Sequence, residues 1–158
     1  MTLSQTLKPG DALPEADHVL RYIRKKFVDN AQIDGNGFLS RPSEKDEGPS
    51  VNWMEYYSGN TANQIAEIRK VKRMKYERNG RIAKLHIGTT KRYLLDTVWP
   101  LIDCIYDPLP SEDNNGRKPA DPSHACMKGI PVIDTPEGDA IRDLLVHCIV
   151  EHYPVVPD

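Results

Sequence analysis

Residues 60–108 read NTANQIAEIRKVKRMKYERNGRIAKLHIGTTKRYLLDTVWPLIDCIYDP, and the alternation of elements within them decides the fold. A helix is predicted to begin at Asn60 or Thr61, because either side chain can accept a hydrogen bond from an orphan backbone N–H. Its apolar stripe consists of Ile65, Ile68, Val71 and Met74. The pair Asn79-Gly80 is predicted to end the helix, since both residues tolerate the left-handed conformation of a C-cap.

Three further elements follow this helix in close succession. The stretch RIAKLHIG predicts a strand, because apolar residues alternate with Lys84 and His86. The stretch TTKRYLLDTV predicts a short helix capped by Thr89 or Thr90. The stretch WPLIDCIYDP predicts a second buried strand that ends at Pro108.

The N-terminal third gives weaker signals. Residues 1–13 hold few apolar anchors and are interpreted as a flexible arm. The stretch ADHVLRYIRKKFVD fits either a helix or a strand, since its apolar residues satisfy both periods. Gly35 to Gly37 mark a tight reversal, Phe38 opens a short extended piece, and SVNWMEYY is predicted to be extended with Trp53 as its anchor.

The C-terminal third is interpreted as a long loop and a helix. Residues 107–131 are predicted to form a loop, and loops of that length are usually functional or mobile. A helix is predicted over residues 135–153, with Thr135 as its N-cap and Pro136 as its first residue. Its core-facing stripe consists of Ile141, Leu144, Leu145, Cys148 and Ile149.

This order of elements predicts the fold class. Strands that alternate with helices indicate an α+β or α/β protein, in which two to three helices pack on a small mixed sheet. A chain of 158 residues is long enough to bury one core without staples. We therefore expect a single compact globular domain over residues 14–158.

Composition bounds the class of protein. The net charge is −2, so the molecule as a whole is not built to bind polyanions. Three cysteines without CxxC spacing argue against a disulfide framework or a zinc ribbon and suit a reducing compartment. The sequence shows no signal peptide and no apolar run that could span a membrane, so a soluble cytoplasmic protein is expected.

Two polar clusters are candidates for a site. The motif DHVLRY carries His18 and Arg21, and the motif DPSHA carries Asp121 and His124 in a loop stiffened by prolines. Together with Glu55, these residues could assemble an anion-binding and acid–base site. The structural alternative is an Asx-turn at Asp121 and a surface ion pair in DHVLRY.

A basic stretch, RKVKRMKYERNGR at residues 69–81, lies in the predicted helix. Arg69, Lys72, Arg73 and Lys75 are expected to be exposed, and such a stripe could follow a phosphate backbone. The alternative is an ordinary solvated face. No recognised metal, nucleotide or catalytic motif occurs, so neither a metal nor a cofactor is expected.

The combination of LPEADHVLRY, SVNWMEYY, IGTTKRYL, IYDPLP and DPSHA resembles a small bacterial family encoded in antiviral defence loci. One member is the ancillary protein of CRISPR systems that carry an RNA-guided caspase-like protease. The resemblance spans residues 13 to 154, and it favours the extended interpretation of residues 18–28. It implies a context and not a reaction.

We therefore expect a non-enzymatic adaptor or regulatory protein whose partner is another protein of the same defence operon. The expectation rests partly on the lack of a catalytic motif in the sequence. The first alternative is a small hydrolase or transferase with the His/Arg/Glu/Asp site described above. The second alternative is a module that binds RNA or DNA through the basic stretch.

Overall fold

The computed structural model describes residues 7–39, 48–71, 76–97, 103–112, 118–130 and 135–155, without the side chains of residues 96 and 97. Its strands and helices, in chain order, are β1 His18–Ile23, β2 Val28–Asp29, β3 Gln32–Ile33, β4 Ser50–Trp53, α1 Thr61–Lys70, β5 Arg81–His86, α2 Ile87–Thr97, β6 Asp103–Tyr106, β7 His124–Lys128, α3 Pro136–His147 and β8 Ile149–Pro154. Short 3-10 turns occupy Lys25–Phe27, Gly35–Phe38 and Met54–Tyr56.

Six strands form one sheet in the order β6-β7-β4-β1-β5-β8, and β2 pairs with β3 in a separate hairpin. Every described strand pairing is antiparallel. The predicted fold class, a sheet packed with two to three helices, is confirmed, and the antiparallel pairing favours α+β over α/β. Among the described residues, none of the helices has the length and apolar character that crossing a membrane requires.

The two faces of the sheet carry different layers. Side chains alternate along a strand, so Val19 and Ile23 of β1 face one side and Leu20 faces the other. The first side forms the main core, where Leu94 of α2 and Leu145 of α3 pack against the sheet. The second side holds a smaller core beneath α1, which consists of Leu20, Met54, Ile68, Ile82 and Val155.

The segment 7–13, which is the described part of the predicted arm, lies along the outer edge of β6. Gly10 and Leu13 donate backbone hydrogen bonds of 2.8 Å to the carbonyls of Tyr106 and Cys104. Leu13 is 2% exposed and belongs to the main core. This segment therefore occupies the backbone groups that an edge strand would otherwise leave open.

Helix α1 is shorter than the sequence predicted. Asn60 caps it as expected, since its side chain accepts from the Asn63 N–H at 2.9 Å. The helix ends at Lys70, and residues 72–75 lie outside the described residues. Residues 76–80 form a turn instead of helix, in which the Gly80 N–H donates to the Glu77 carbonyl at 2.9 Å. The Glu77 N–H donates to the Tyr22 hydroxyl at 2.6 Å.

The predicted loop over residues 107–131 contains a strand. Residues His124–Lys128 form β7, which pairs with β4 on one side and β6 on the other. Four consecutive residues of β7 are buried, because both faces of this strand are covered. Its sequence therefore does not alternate between apolar and polar residues, which is the usual signal of a strand. The loop prediction was wrong for this segment, and Cys126 lies in a buried strand rather than a loop.

The predicted C-terminal helix is correct only in its first part. Thr135 caps α3, because its hydroxyl accepts from the Gly138 N–H at 3.1 Å, but the helix ends at His147. The rest of the predicted helix forms β8, which pairs with β5. The spacing of Ile149 continues the predicted helical stripe. In the structure it is the first residue of β8, half-buried against the main core.

Two smaller predictions also change. Helix α2 begins at Ile87, and the His86 ring rather than Thr89 or Thr90 caps it, since Nδ1 accepts from the Thr89 N–H at 3.1 Å. Phe38 ends a 3-10 turn instead of opening an extended piece, and it is fully buried in the main core.

Candidate functional site

The strand interpretation of DHVLRY is confirmed, and it places His18 and Arg21 on opposite faces of β1. The Glu55 carboxylate accepts from the His18 backbone N–H at 2.7 Å and pairs with the His18 ring Nδ1 at 2.8 Å. An ionised carboxylate has no hydrogen to donate, so Nδ1 carries the ring proton. Both side chains are about one-third exposed, at 28% and 30%, so this pair is open to solvent.

Arg21 is bound within the fold. Its guanidinium donates to three backbone carbonyls: Gly37 at 3.0 Å, Ser50 at 2.8 Å and Leu39 at 3.1 Å. These carbonyls belong to the 3-10 turn after β3 and to the start of β4. Arg21 therefore ties two segments of the chain to the central strand. Asp17, its neighbour in the motif, accepts from the Trp53 indole N–H at 2.8 Å.

Asp121 belongs to a buried polar network. The Asn52 side-chain amide donates to the two oxygens of the Asp121 carboxylate at 3.0 and 3.2 Å and to the Ser123 hydroxyl at 3.0 Å. Asp121 is 6% exposed and Ser123 is fully buried. Tyr57 completes the network: burial raises the pKa of its phenol, the bond to Ser123 lowers that pKa, and the charge of Asp121 raises it.

His124 lies directly opposite Asn52 and is 8% exposed. Its ring Nδ1 is 2.8 Å from the carbonyl oxygen of Asp107 and 3.3 Å from the Asp107 carboxylate. The Cys126 sulfur lies 3.6 Å from the same carboxylate oxygen, Oδ2. One ligand atom from each of Asp107, His124 and Cys126 lies within 4.8 Å of the others.

The five candidate residues, His18, Arg21, Glu55, Asp121 and His124, thus do not form one site. His18 and Glu55 are in contact, but His124 does not reach them because β4 lies between β1 and β7. Two strand spacings and two residues along the strand separate the histidine backbones by roughly 12 Å. Arg21 lies on the other face of the sheet, and Asp121 bonds to Asn52.

Only part of the basic stretch at residues 69–81 lies within the described residues. Arg69 is half-buried rather than exposed, and its guanidinium lies 5.4 Å from the centre of the Tyr76 ring. That ring stacks on Tyr22 at 4.5 Å, so Arg69 takes part in packing beside the smaller core. The other predicted contacts, Lys72, Arg73 and Lys75, lie outside the described residues.

The sequence prediction missed Asp107, Cys126 and Asn52. His124 and Cys126 are two residues apart, which places both side chains on one face of a strand. The sequence interpretation did not use this spacing, because it assigned the segment to a loop. Asp107 follows β6 and becomes their neighbour only through the pairing of β6 with β7.

We compared the chain with protein-family models, with curated proteins and with solved structures, and none of the three comparisons gave a match.

Proposed function

We propose that this protein is a non-enzymatic adaptor or regulatory protein that binds an extended segment of a partner protein along β8. The proposal rests on a difference between the two edges of the sheet. The segment 7–13 covers the edge at β6, whereas no described strand or segment pairs with the outer edge of β8. An open edge presents unpaired backbone groups, and a strand from another chain can pair with them.

The surroundings of β8 suit such a partner. A groove of about 360 Å³ lies beside it, and its lining residues are Ala31, Gln32, Ile33, Val146, Ile149 and His152. Val150 is 53% exposed, although it is apolar. Strand addition takes its affinity from main-chain hydrogen bonds and its specificity from pockets for alternate side chains. We therefore expect the partner segment to place an apolar residue in this groove.

The edge is also protected against random pairing. Glu151 and His152 are exposed on it, and Val150 is an extra residue between the paired positions Ile149 and Glu151. Charged residues and bulges are usual devices against uncontrolled edge pairing. They support a proposal of one specific partner over self-association.

The identity and setting of that partner rest on the resemblance to proteins of antiviral defence loci. We propose that it is another protein of the same bacterial operon and that the two meet in the cytoplasm. Among the described residues, Cys104, Cys126 and Cys148 form no disulfide, which is consistent with a reducing compartment. The bonding of Arg21 to three carbonyls favours an adaptor over an anion-binding enzyme, because its donors already serve the fold.

The test uses the purified proteins encoded by the genes that flank this one, each titrated by calorimetry. The Val150→Glu variant should bind its partner at least about tenfold more weakly, because the edge contact would bury an unpaired carboxylate. Leu95→Glu is the matched control, since Leu95 is 60% exposed on α2. Equal binding by Val150→Glu and the parent, or no binding by any flanking protein, contradicts the proposal.

One observation favours the alternative of a small hydrolase or transferase. The His18 ring is oriented by the Glu55 carboxylate and is partly open to solvent, an arrangement that suits acid–base catalysis. His18→Gln should then abolish turnover of chromogenic ester or phosphoester substrates without lowering the melting temperature. If the parent turns over none of these substrates, the alternative loses its support.

A further inference from the structure

We infer that Asp107, His124 and Cys126 form a binding site for a zinc ion. The site lies at the β6–β7 end of the sheet, away from β8 at the other edge. It does not depend on the proposed adaptor function, and neither test bears on the other. The inference rests on the ligand types, the distances between their atoms and the burial of two of the three side chains.

The pairing of β6 with β7 assembles the three side chains. His124 and Cys126 alternate with buried Ala125 along β7, so both point to the same face of the sheet. Asp107 directly follows β6, and its backbone N–H donates to the His124 carbonyl at 3.0 Å. The backbone thus fixes all three residues before any ion binds, which reduces the conformational entropy lost on binding.

Two of the three distances between the ligand atoms match a tetrahedral zinc site. Zinc–sulfur bonds of about 2.3 Å and zinc–nitrogen or zinc–oxygen bonds of about 2.0–2.2 Å imply separations of about 3.6 Å between sulfur and oxygen and about 3.4 Å between nitrogen and oxygen. The Cys126 Sγ lies 3.6 Å from the Asp107 Oδ2, and the His124 Nδ1 lies 3.3 Å from the same oxygen. The third separation, between a His124 ring nitrogen and the Cys126 Sγ, is below 4.8 Å.

The chemistry of the ligands favours zinc over calcium or magnesium. A thiolate and an imidazole suit a borderline-soft transition metal, whereas the hard cations prefer oxygen ligands. Zn²⁺ also balances the two negative charges that the Cys126 thiolate and the Asp107 carboxylate bring, so the loaded site is neutral at a buried position. Three protein ligands leave one tetrahedral position for a further ligand.

Burial indicates how the ion would enter. Cys126 is 4% exposed, and the His124 side chain is 10% exposed, while the Asp107 side chain is 43% exposed. The ion and the fourth ligand therefore approach from the Asp107 side. In the metal-free protein the His124 Nδ1–H donates to the Asp107 carbonyl. Coordination through Nδ1 moves that proton to Nε2 and breaks this hydrogen bond, so binding depends on the neutral imidazole.

The experiment titrates Co²⁺ into chelator-treated full-length protein kept reduced with a phosphine. The parent should bind one equivalent and develop both a thiolate-to-cobalt absorption in the near ultraviolet and visible bands of tetrahedral cobalt. Added Zn²⁺ should then bleach both bands as it displaces the cobalt. A parent that shows neither band, and whose melting temperature Zn²⁺ does not raise, overturns the inference.

Variants assign the ligands. Cys126→Ser should lose the near-ultraviolet band and weaken cobalt binding by more than about 100-fold, since even residues that only orient ligands change affinity 10–100-fold. Cys148→Ser is the matched control, because Cys148 is a free thiol at the C-cap of α3, away from β6 and β7, and it should bind as the parent does. Asp107→Asn keeps the shape of a partly exposed side chain and should weaken binding at least about tenfold in a protein that still folds. Retention of the parent's cobalt spectrum and affinity by either ligand variant overturns the assignment.

Discussion

The replacement Arg21→Met tests whether this arginine belongs to the fold or to a binding site. Methionine retains an unbranched apolar stem and removes the guanidinium, which donates to the carbonyls of Gly37, Ser50 and Leu39. If Arg21 bound an anion for catalysis, its removal would change stability little. If it ties the 3-10 turn after β3 and the start of β4 to β1, its removal should weaken the whole domain.

The magnitude follows from the three bonds. Each hydrogen bond from a charged donor contributes roughly 1.5–3 kcal/mol when it is well formed, and bonds made by one group are not additive. Arg21 is half-buried, so water can satisfy part of what the carbonyls lose. We expect a loss of about 3 kcal/mol in the free energy of unfolding. With a urea m-value of about 2 kcal/mol/M, the unfolding midpoint should fall by about 1.5 M.

The assay is urea unfolding followed by circular dichroism, with m compared between variants. Arg24→Met is the control, since the Arg24 side chain is 47% exposed and pairs with Glu77 at 3.5 Å. Surface ion pairs of this kind contribute about 0–1 kcal/mol. A free energy of unfolding for Arg21→Met within about 0.5 kcal/mol of the parent would refute the structural role assigned to Arg21.

Three further predictions concern single residues. Leu145 is fully buried, so Leu145→Ala should lower the free energy of unfolding by about 2–5 kcal/mol, and a loss under 0.5 kcal/mol contradicts its place in the core. Burial raises the pKa of Cys104 to about 12, so iodoacetamide at pH 8 should modify this thiol only after unfolding, and rapid labelling of the native protein argues against the packing. Partial desolvation of its ring and the nearby Arg81 lower the pKa of His152, although the residue is exposed, so its imidazole should titrate by NMR with a midpoint below about 6.5. As the pH falls, the unfolded chain takes up the His152 proton at a higher pH than the folded protein does, so His152 lowers the free energy of unfolding below about pH 6.5. A titration midpoint at or above about 6.5 contradicts the prediction.

Signals confined to one short segment were predicted correctly from the sequence. Asn60 and Thr135 cap α1 and α3, because a cap depends on a hydrogen bond to a residue three positions later. The strand over residues 81–86 also follows from its own alternation. These elements, together with the alternation of helices and strands, were enough to give the fold class.

Features that depend on contacts between distant segments were not predicted. The stripe that includes Ile149 satisfies the helical period, but pairing with β5 along residues 81–85 places this segment in a strand. Likewise, the sequence left open whether His124 lies beside His18, and only the strand order shows that β4 separates them. His18 and Glu55 were already among the candidate site residues, whereas Asp107 and Cys126 could be added only after β7 was recognised as a strand.

Hydrogen exchange along β8, measured with and without a partner encoded beside this gene, tests the adaptor proposal most directly. In the free protein the outward amides of residues 149–153 should exchange fast, since no described segment bonds to that edge. In the complex the same amides should slow by at least about tenfold, while those of the covered strand β6 stay unchanged. A complex that protects another surface and leaves β8 as it was in the free protein would contradict the account.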